Sequence, residues 1–208
     1  MTKVFGPLMS LDASGTLADA ITFSKWRGRN YVRERVIPSN PKSGAQVGRR
    51  AMFAFLTQAW NALADGAKAS WQDLADQIVA SRFNGYMRGN MIDWHNFIPP
   101  TQLTPAGKVG TPSDNVITAA AWEENRIKIT IAGSALGDAW GICLFASLTG
   151  TYAPSVGNCI LVEPDTTIAS HDVFWTPPAV TTYYLDSVAF ADDGVKAAEG
   201  GEQTAAPP

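Results

Sequence analysis

Between Pro99 and Pro112 the chain changes its hydrophobic period, and that change bounds the folds open to it. Ahead of the stretch, Met52, Phe55, Leu56, Ala59, Trp60 and Leu63 recur at intervals of three and four, which is one apolar stripe on a helix. Behind it, Arg126-Ile127-Lys128-Ile129-Thr130-Ile131 alternates strictly, with Ile127, Ile129 and Ile131 on one face, the pattern of a half-buried strand. The stretch itself holds four prolines and two glycines and reads as a linker. The fold class is therefore α+β, with the two periods segregated along the chain.

The helical half carries its own boundary signals. Ser43-Gly44-Ala45-Gln46 has the spacing of a capping box, and Asp65-Gly66 ends the first helix. A second helix is predicted with Trp71, Leu74, Ala75, Ile78 and Val79 on its inner face. A third is predicted from Met87, Met91, Trp94 and Ile98, stopped by Pro99-Pro100. Short connections make these helices antiparallel neighbours. Beyond the linker, Trp140–Ser147, Cys159–Glu163, Asp172–Trp175 and Thr182–Ala191 join Arg126–Ile131 as strand candidates separated by Gly, Pro, Asn and Asp. Short strands with turn signals between them predict an antiparallel β-sandwich.

The N-terminal segment is different again. Met1–Ala20 is rich in small and turn-forming residues and reads as an extended arm. Ile21–Lys25 and Asn30–Val36 are β-rich runs around a short connection containing Gly28, which predicts a hairpin. A lone two-stranded hairpin is marginal in water and must lean on something. The expected organisation is an arm and basic hairpin over 1–40, a helical unit over 41–98, the linker 99–112, a sandwich over 113–197 and a disordered tail 198–208.

Charge separates the halves. Residues 1–100 carry 12 Lys/Arg against 7 Asp/Glu, and residues 101–208 carry 4 against 12, within a net charge of −3. Eight of the cations fall between Lys25 and Arg50, opposed only by Glu34. The candidate interaction residues are Trp26, Arg27, Arg29, Tyr31, Arg33 and Arg35. Arg33 and Arg35 share a strand face with Tyr31, so a partner would meet guanidiniums and an aromatic plane together. Such a strip can grip phosphates and stack on bases, or pair with carboxylates of a neighbouring protein. The acidic pI of 5.3 favours the protein partner.

Catalytic signals are thin. The chain has no P-loop, no G-x-G-x-x-G, no G-x-S-x-G and no C-x-x-C. Its two histidines, His95 and His171, do not supply the three or four ligands of a zinc site, and no cofactor or metal is expected. His171-Asp172 is read as a solvated pair rather than a general base. Two cysteines, Cys143 and Cys159, build no disulfide scaffold, and Cys143 reads as a small buried hydrophobe. The longest apolar run, Ala139–Ala146, is too short to span a membrane, and no signal-peptide core is visible.

Several spaced motifs occur in order. Phe23-Ser24-Lys25-Trp26-Arg27-Gly28-Arg29-Asn30-Tyr31-Val32-Arg33 follows Ser14-Gly15, then come Asn40-Pro41-Lys42-Ser43-Gly44-Ala45-Gln46, Arg50 and Phe53. The pairs Trp60/Leu63 and Trp71/Ala75, and the run from Asn84-Gly85 to Asn96-Phe97, continue the pattern. Residues 14–98 thereby resemble the N-terminal signature of a family of small virion-associated proteins of tailed bacteriophages and prophages. More loosely, Thr182–Ala189 followed by Asp193-Gly194 is similar to the late strand and turn of fibronectin type III and Ig-like modules.

The phage resemblance implies a non-enzymatic structural protein of the virion, assembled in the bacterial cytoplasm. The expectation is a capsid decoration or cement protein, present in many copies, whose arm and basic hairpin bind the major capsid protein while its acidic sandwich projects outward. A neck or tail accessory protein using the same contacts with other virion proteins is the first alternative. A packaged nucleic-acid-binding protein is the second.

Overall fold

The computed structural model describes residues 2–3, 15–17, 20–37, 39–40, 42–105, 117–132, 140–164, 170–197 and 201–208. They form two compact units, Met1–Pro41 and Lys42–Pro208.

In the first unit the predicted hairpin is present. Strands β3 (Ile21–Trp26) and β4 (Arg29–Glu34) pair from Ile21↔Glu34 to Trp26↔Arg29. Its two loop residues, Arg27 and Gly28, sit at φ 50° and 76°. Positive φ at both positions is what a type I′ turn requires, and that turn matches the twist of the flanking strands. Two short strands from the expected arm, β1 (Thr2–Lys3) and β2 (Gly15–Leu17), border the hairpin and give the order β1-β4-β3-β2. These parts of the arm are thus sheet edges, and residues 4–14 and 18–19 lie outside the described residues.

The second unit joins what the sequence reading kept apart. Helices α1 (Gly44–Ala62), α2 (Asp65–Ser70), α3 (Gln72–Gln77) and α4 (Arg82–His95) precede seven strands. These are β5 (Ile117–Glu123), β6 (Arg126–Ala132), β7 (Gly141–Ser147), β8 (Cys159–Pro164), β9 (Ser170–Trp175), β10 (Tyr183–Phe190) and β11 (Gln203–Ala205). Two antiparallel sheets, β5-β6-β9 and β11-β10-β7-β8, make an Ig/fibronectin III-like sandwich. Ile127, Ile129 and Ile131 face inward as the alternation predicts, and are fully buried with Ile142, Leu144 and Leu185 between the sheets.

The other face of the four-stranded sheet carries the helices. Cys143, Phe145, Val162, Val188 and Phe190 point there and share a core with Met52, Phe55, Leu56, Trp71, Tyr86 and Trp94. Phe55 meets Trp140 and Phe190 edge-on at 5.1 and 5.4 Å, and Phe97 meets Phe145 at 5.8 Å. Two-sided burial explains why β7 reads as an unbroken apolar run rather than an alternating one. The separate helical unit 41–98 and sandwich 113–197 are therefore corrected to one three-layer body. Glycine makes the close approach possible: a Cβ at Gly48 would collide with the Val156 carbonyl oxygen, and one at Gly44 with the Gly157 backbone.

The linker reading is corrected over residues 99–105; residues 106–112 lie outside the described residues. Pro99 and Pro100 are buried. The buried Asn90 side chain donates to the Thr101 carbonyl (3.1 Å) and accepts from its N–H (2.7 Å), standing in for a neighbouring strand. The Gln102 N–H donates to the Asp192 carbonyl at 2.8 Å, and the Trp71 indole donates to the Gln102 carbonyl at 2.9 Å. Replacing Asn90 by Ala strands both Thr101 groups, and is expected to cost about 2–3 kcal/mol in denaturant unfolding. A loss below about 0.5 kcal/mol would show that this segment does not hold the helices to the sandwich.

Three further expectations change. The tail 198–208, read as disordered, contains β11, which pairs Tyr183↔Ala205 through Leu185↔Gln203 and buries Ala205; residues 198–200 lie outside the described residues. Its Ala205 carbonyl also accepts the Trp122 indole N–H at 3.2 Å, tying β11 to β5. Ser43 makes no side-chain cap to α1; instead its carbonyl accepts from Gln46 and Val47 N–H. Val79, expected on an inner helix face, lies beyond α3 and is 94% exposed.

Candidate interaction surface

The alternation of β3 and β4 sorts the first unit's chemistry onto two faces. Cross-strand pairs Trp26↔Arg29, Ser24↔Tyr31 and Thr22↔Arg33 share one face; Ile21↔Glu34, Phe23↔Val32 and Lys25↔Asn30 share the other. The first face therefore gathers Trp26, Arg29, Tyr31 and Arg33. Arg27 sits in the turn, its guanidinium 4.7 Å from the centre of the Trp26 ring, a cation–π contact. Arg35 follows β4, and its N–H donates to the Ala20 carbonyl at 2.8 Å, which prolongs the pairing past the strand. Trp26 is 64% exposed, and Arg27, Arg29, Arg33 and Arg35 are exposed as well.

The opposite face mixes apolar residues with Lys25, Asn30 and Glu34. Phe23 and Val32 are half-buried, and Ile21 and, from β2, Leu17 are exposed. Not one described residue of β2, β3 or β4 is buried. A sheet with an exposed guanidinium–aromatic face and no buried residue among the described ones of β2, β3 and β4 has the make-up of an element that buries surface against a partner.

The outer face of β5-β6-β9 is laced by exposed pairs: Lys128 contacts Asp172 at 3.0 Å and Glu123 at 3.8 Å, and Thr130 donates to Asp172 at 2.7 Å. Asp172 and Glu123 accordingly hold the Lys128 ammonium pKa up, an arrangement of little energetic consequence in solvent. His95 is exposed, with its Nδ1 3.0 Å from Arg49 Nη2. Among the described residues no three His, Cys, Asp or Glu side chains cluster as metal ligands. Cys143 and Cys159 are both buried free thiols on one face of neighbouring strands. Burial, with Cys159 beside it, pushes the Cys143 thiol up, so it stays protonated and weakly nucleophilic.

One cleft was not visible in the sequence, because five separated segments build it. It measures about 740 Å³ and lies by the start of α1, lined by Val47, Leu148, Ile160, Trp175, Pro177 and Tyr183 among others. Tyr183 packs edge-on to Trp175 at 5.0 Å. Lys42, Ser147, Thr149, Asn158 and Thr176 also line it.

No protein-family model matches the chain, and no curated protein matches it. Among solved structures, the chain is similar to an Fn3-like protein from Clostridium thermocellum, at 20% identity over 48% of this chain and 93% of that one, with a TM-score of 0.35. It is also similar to the spore cortex lytic enzyme SleM of Clostridium perfringens, at 16% identity over 46% of this chain and 28% of that one, TM-score 0.34. A β-1,2-glucanase from Parabacteroides distasonis matches at 14% identity over 53% of this chain and 14% of that one, TM-score 0.38. These likenesses concern the fold.

Proposed function

We propose that this chain is a non-enzymatic structural protein of a tailed-bacteriophage virion, a capsid decoration protein that docks on major capsid subunits through residues 1–41. The observation that carries the reading is the first unit's sheet: four strands, no buried side chain in β2, β3 or β4, and one face that gathers Trp26, Arg29, Tyr31 and Arg33. Arg29 and Arg33 would pair with carboxylates of the capsid surface, with Trp26 and Tyr31 as rigid aromatic anchors between them. The fibronectin III-like sandwich and its helical layer form the body that is carried. Assembly would take place in the bacterial cytoplasm, with the finished protein in the virion.

The same face supports a second reading. Two aromatics interleaved with arginines form a stacking platform, which is what a packaged nucleic-acid-binding protein would present. Such binding would fall steeply with salt. Quantifying the chain in purified particles tests the proposal. A decoration protein is expected at a copy number comparable with the major capsid protein. About a dozen copies or fewer would point instead to a neck or tail accessory position, and absence from particles would overturn the virion reading.

A further inference from the structure

The geometry points to a contact between copies of this chain, in which the α3 tip of one copy seats on the α1/α4 face of the next. The receiving face follows from the helix register. The Trp94 indole donates to the Gly48 carbonyl at 3.3 Å, Arg49 Nη2 lies 3.0 Å from His95 Nδ1, and the Trp60 and Phe83 rings are 5.7 Å apart. Helices α1 and α4 are therefore antiparallel, and Phe53, one turn beyond Arg49, lies alongside Ile92, one turn before His95. Phe53 is 50% exposed and Ile92 53%. Arg49 and Arg88, each one turn from this pair on α1 and α4, set an exposed cationic rim around it.

The inserting element carries the complement. Val79 is 94% exposed at φ 51°, a left-handed conformation that a β-branched residue rarely adopts. Its N–H donates to the Asp76 carbonyl and the Ala80 N–H to the Ala75 carbonyl, so the end of α3 turns Val79 outward. Asp73 and Asp76, both exposed, precede it on α3, and Asp76 Oδ1 also accepts from the Gln72 side-chain amide at 2.6 Å. The nearby cations are engaged elsewhere: Arg82 donates to the Gln72 side chain, and Lys68 lies 5.8 Å from the Trp60 ring centre.

An apolar knob preceded by carboxylates and an apolar pair rimmed by guanidiniums are thus presented by one folded body. Both are exposed, so they do not satisfy each other within a copy. Between copies they match in charge and in chemistry. Because the two surfaces differ, the contact is heterologous, and it closes into a ring or continues as a chain.

Sedimentation velocity of the full chain, without particles, tests this. Association is expected to grow with protein concentration at low ionic strength, and to weaken at about 1 M salt, where the screening length is ~3 Å. Val79→Gly should raise the melting temperature by relieving the left-handed backbone, yet weaken association about tenfold or more. Asp73→Arg and Arg88→Glu should each weaken it, while an equimolar mixture of the two variants should recover it, since the reversed charges then face each other. A chain that stays monomeric at both ionic strengths would overturn the inference. So would association that Val79→Gly and Arg88→Glu both leave unchanged.

Discussion

A chain cut back to residues 113–208 is expected to lose cooperative unfolding, while 42–208 unfolds in a single transition. The reason lies in the central sheet. One face of β7 and β10 packs on β5-β6-β9, but the other face, with Cys143, Phe145, Val188 and Phe190, is buried under the helices. Removing α1 to α4 exposes that whole face together with Val162 of β8. A contiguous apolar patch of this kind drives association rather than stable folding. It also removes the segment around Thr101, which bridges to Asp193 and whose neighbour Gln102 bonds Asp192. Calorimetry or urea unfolding followed by tryptophan fluorescence reads the difference. A sharp, reversible transition in 113–208 would show that the sandwich stands alone and that the helices are an attached domain.

That outcome turns on something the sequence only half displayed. The alternation of Ile127, Ile129 and Ile131 located β6, and the i, i+3, i+4 stripe of Met52, Phe55 and Leu56 located α1, because each element buries one face. The unbroken run in β7 carried the further message that both faces are covered, yet periodicity alone does not say by what. The Pro-rich stretch after α4 looked like a linker because its tertiary hydrogen bonds come from Asn90 and Asp192, residues with no local signature. β5 went unread because Ala119-Ala120-Ala121 has little strand propensity. β11 went unread because three small or polar residues, Gln203-Thr204-Ala205, become a strand only by pairing with β10. Val79 was placed inside by period, but α3 ends at Gln77 before that period could apply.

The candidate surface was legible to a greater degree. Strand alternation put Tyr31 and Arg33 on one face from sequence alone. Arg29 joins them by the same alternation once β4 starts at Arg29, and the register adds Trp26, since the two-residue loop at Arg27-Gly28 fixes which β3 residues stand opposite which β4 residues. On the reverse face, Leu17 joins Ile21, Phe23 and Val32 only once β2 is placed beside β3.

Replacing Arg29 and Arg33 together by Ala is expected to weaken particle binding by at least two orders of magnitude. Each arginine would contribute a charge-assisted hydrogen bond worth ~1.5–3 kcal/mol when desolvated. Two such losses correspond to about a hundredfold or more, at ~1.4 kcal/mol per tenfold. Both side chains are exposed and outside the 42–208 body, so the main unfolding transition should not move. Retained occupancy in the double variant would mark the strip as a solvated charged face. Lost salt-sensitive DNA binding with particle binding intact would favour the nucleic-acid reading.

Co-sedimentation with purified particles lacking this protein tests most directly whether residues 1–41 are the docking element. Full-length chain is expected to pellet with the particles to saturation. The 42–208 chain, folded by calorimetry, is expected to remain in the supernatant. If 42–208 pellets at full-length occupancy, the hairpin sheet is not what holds this protein to the virion, and the account is contradicted.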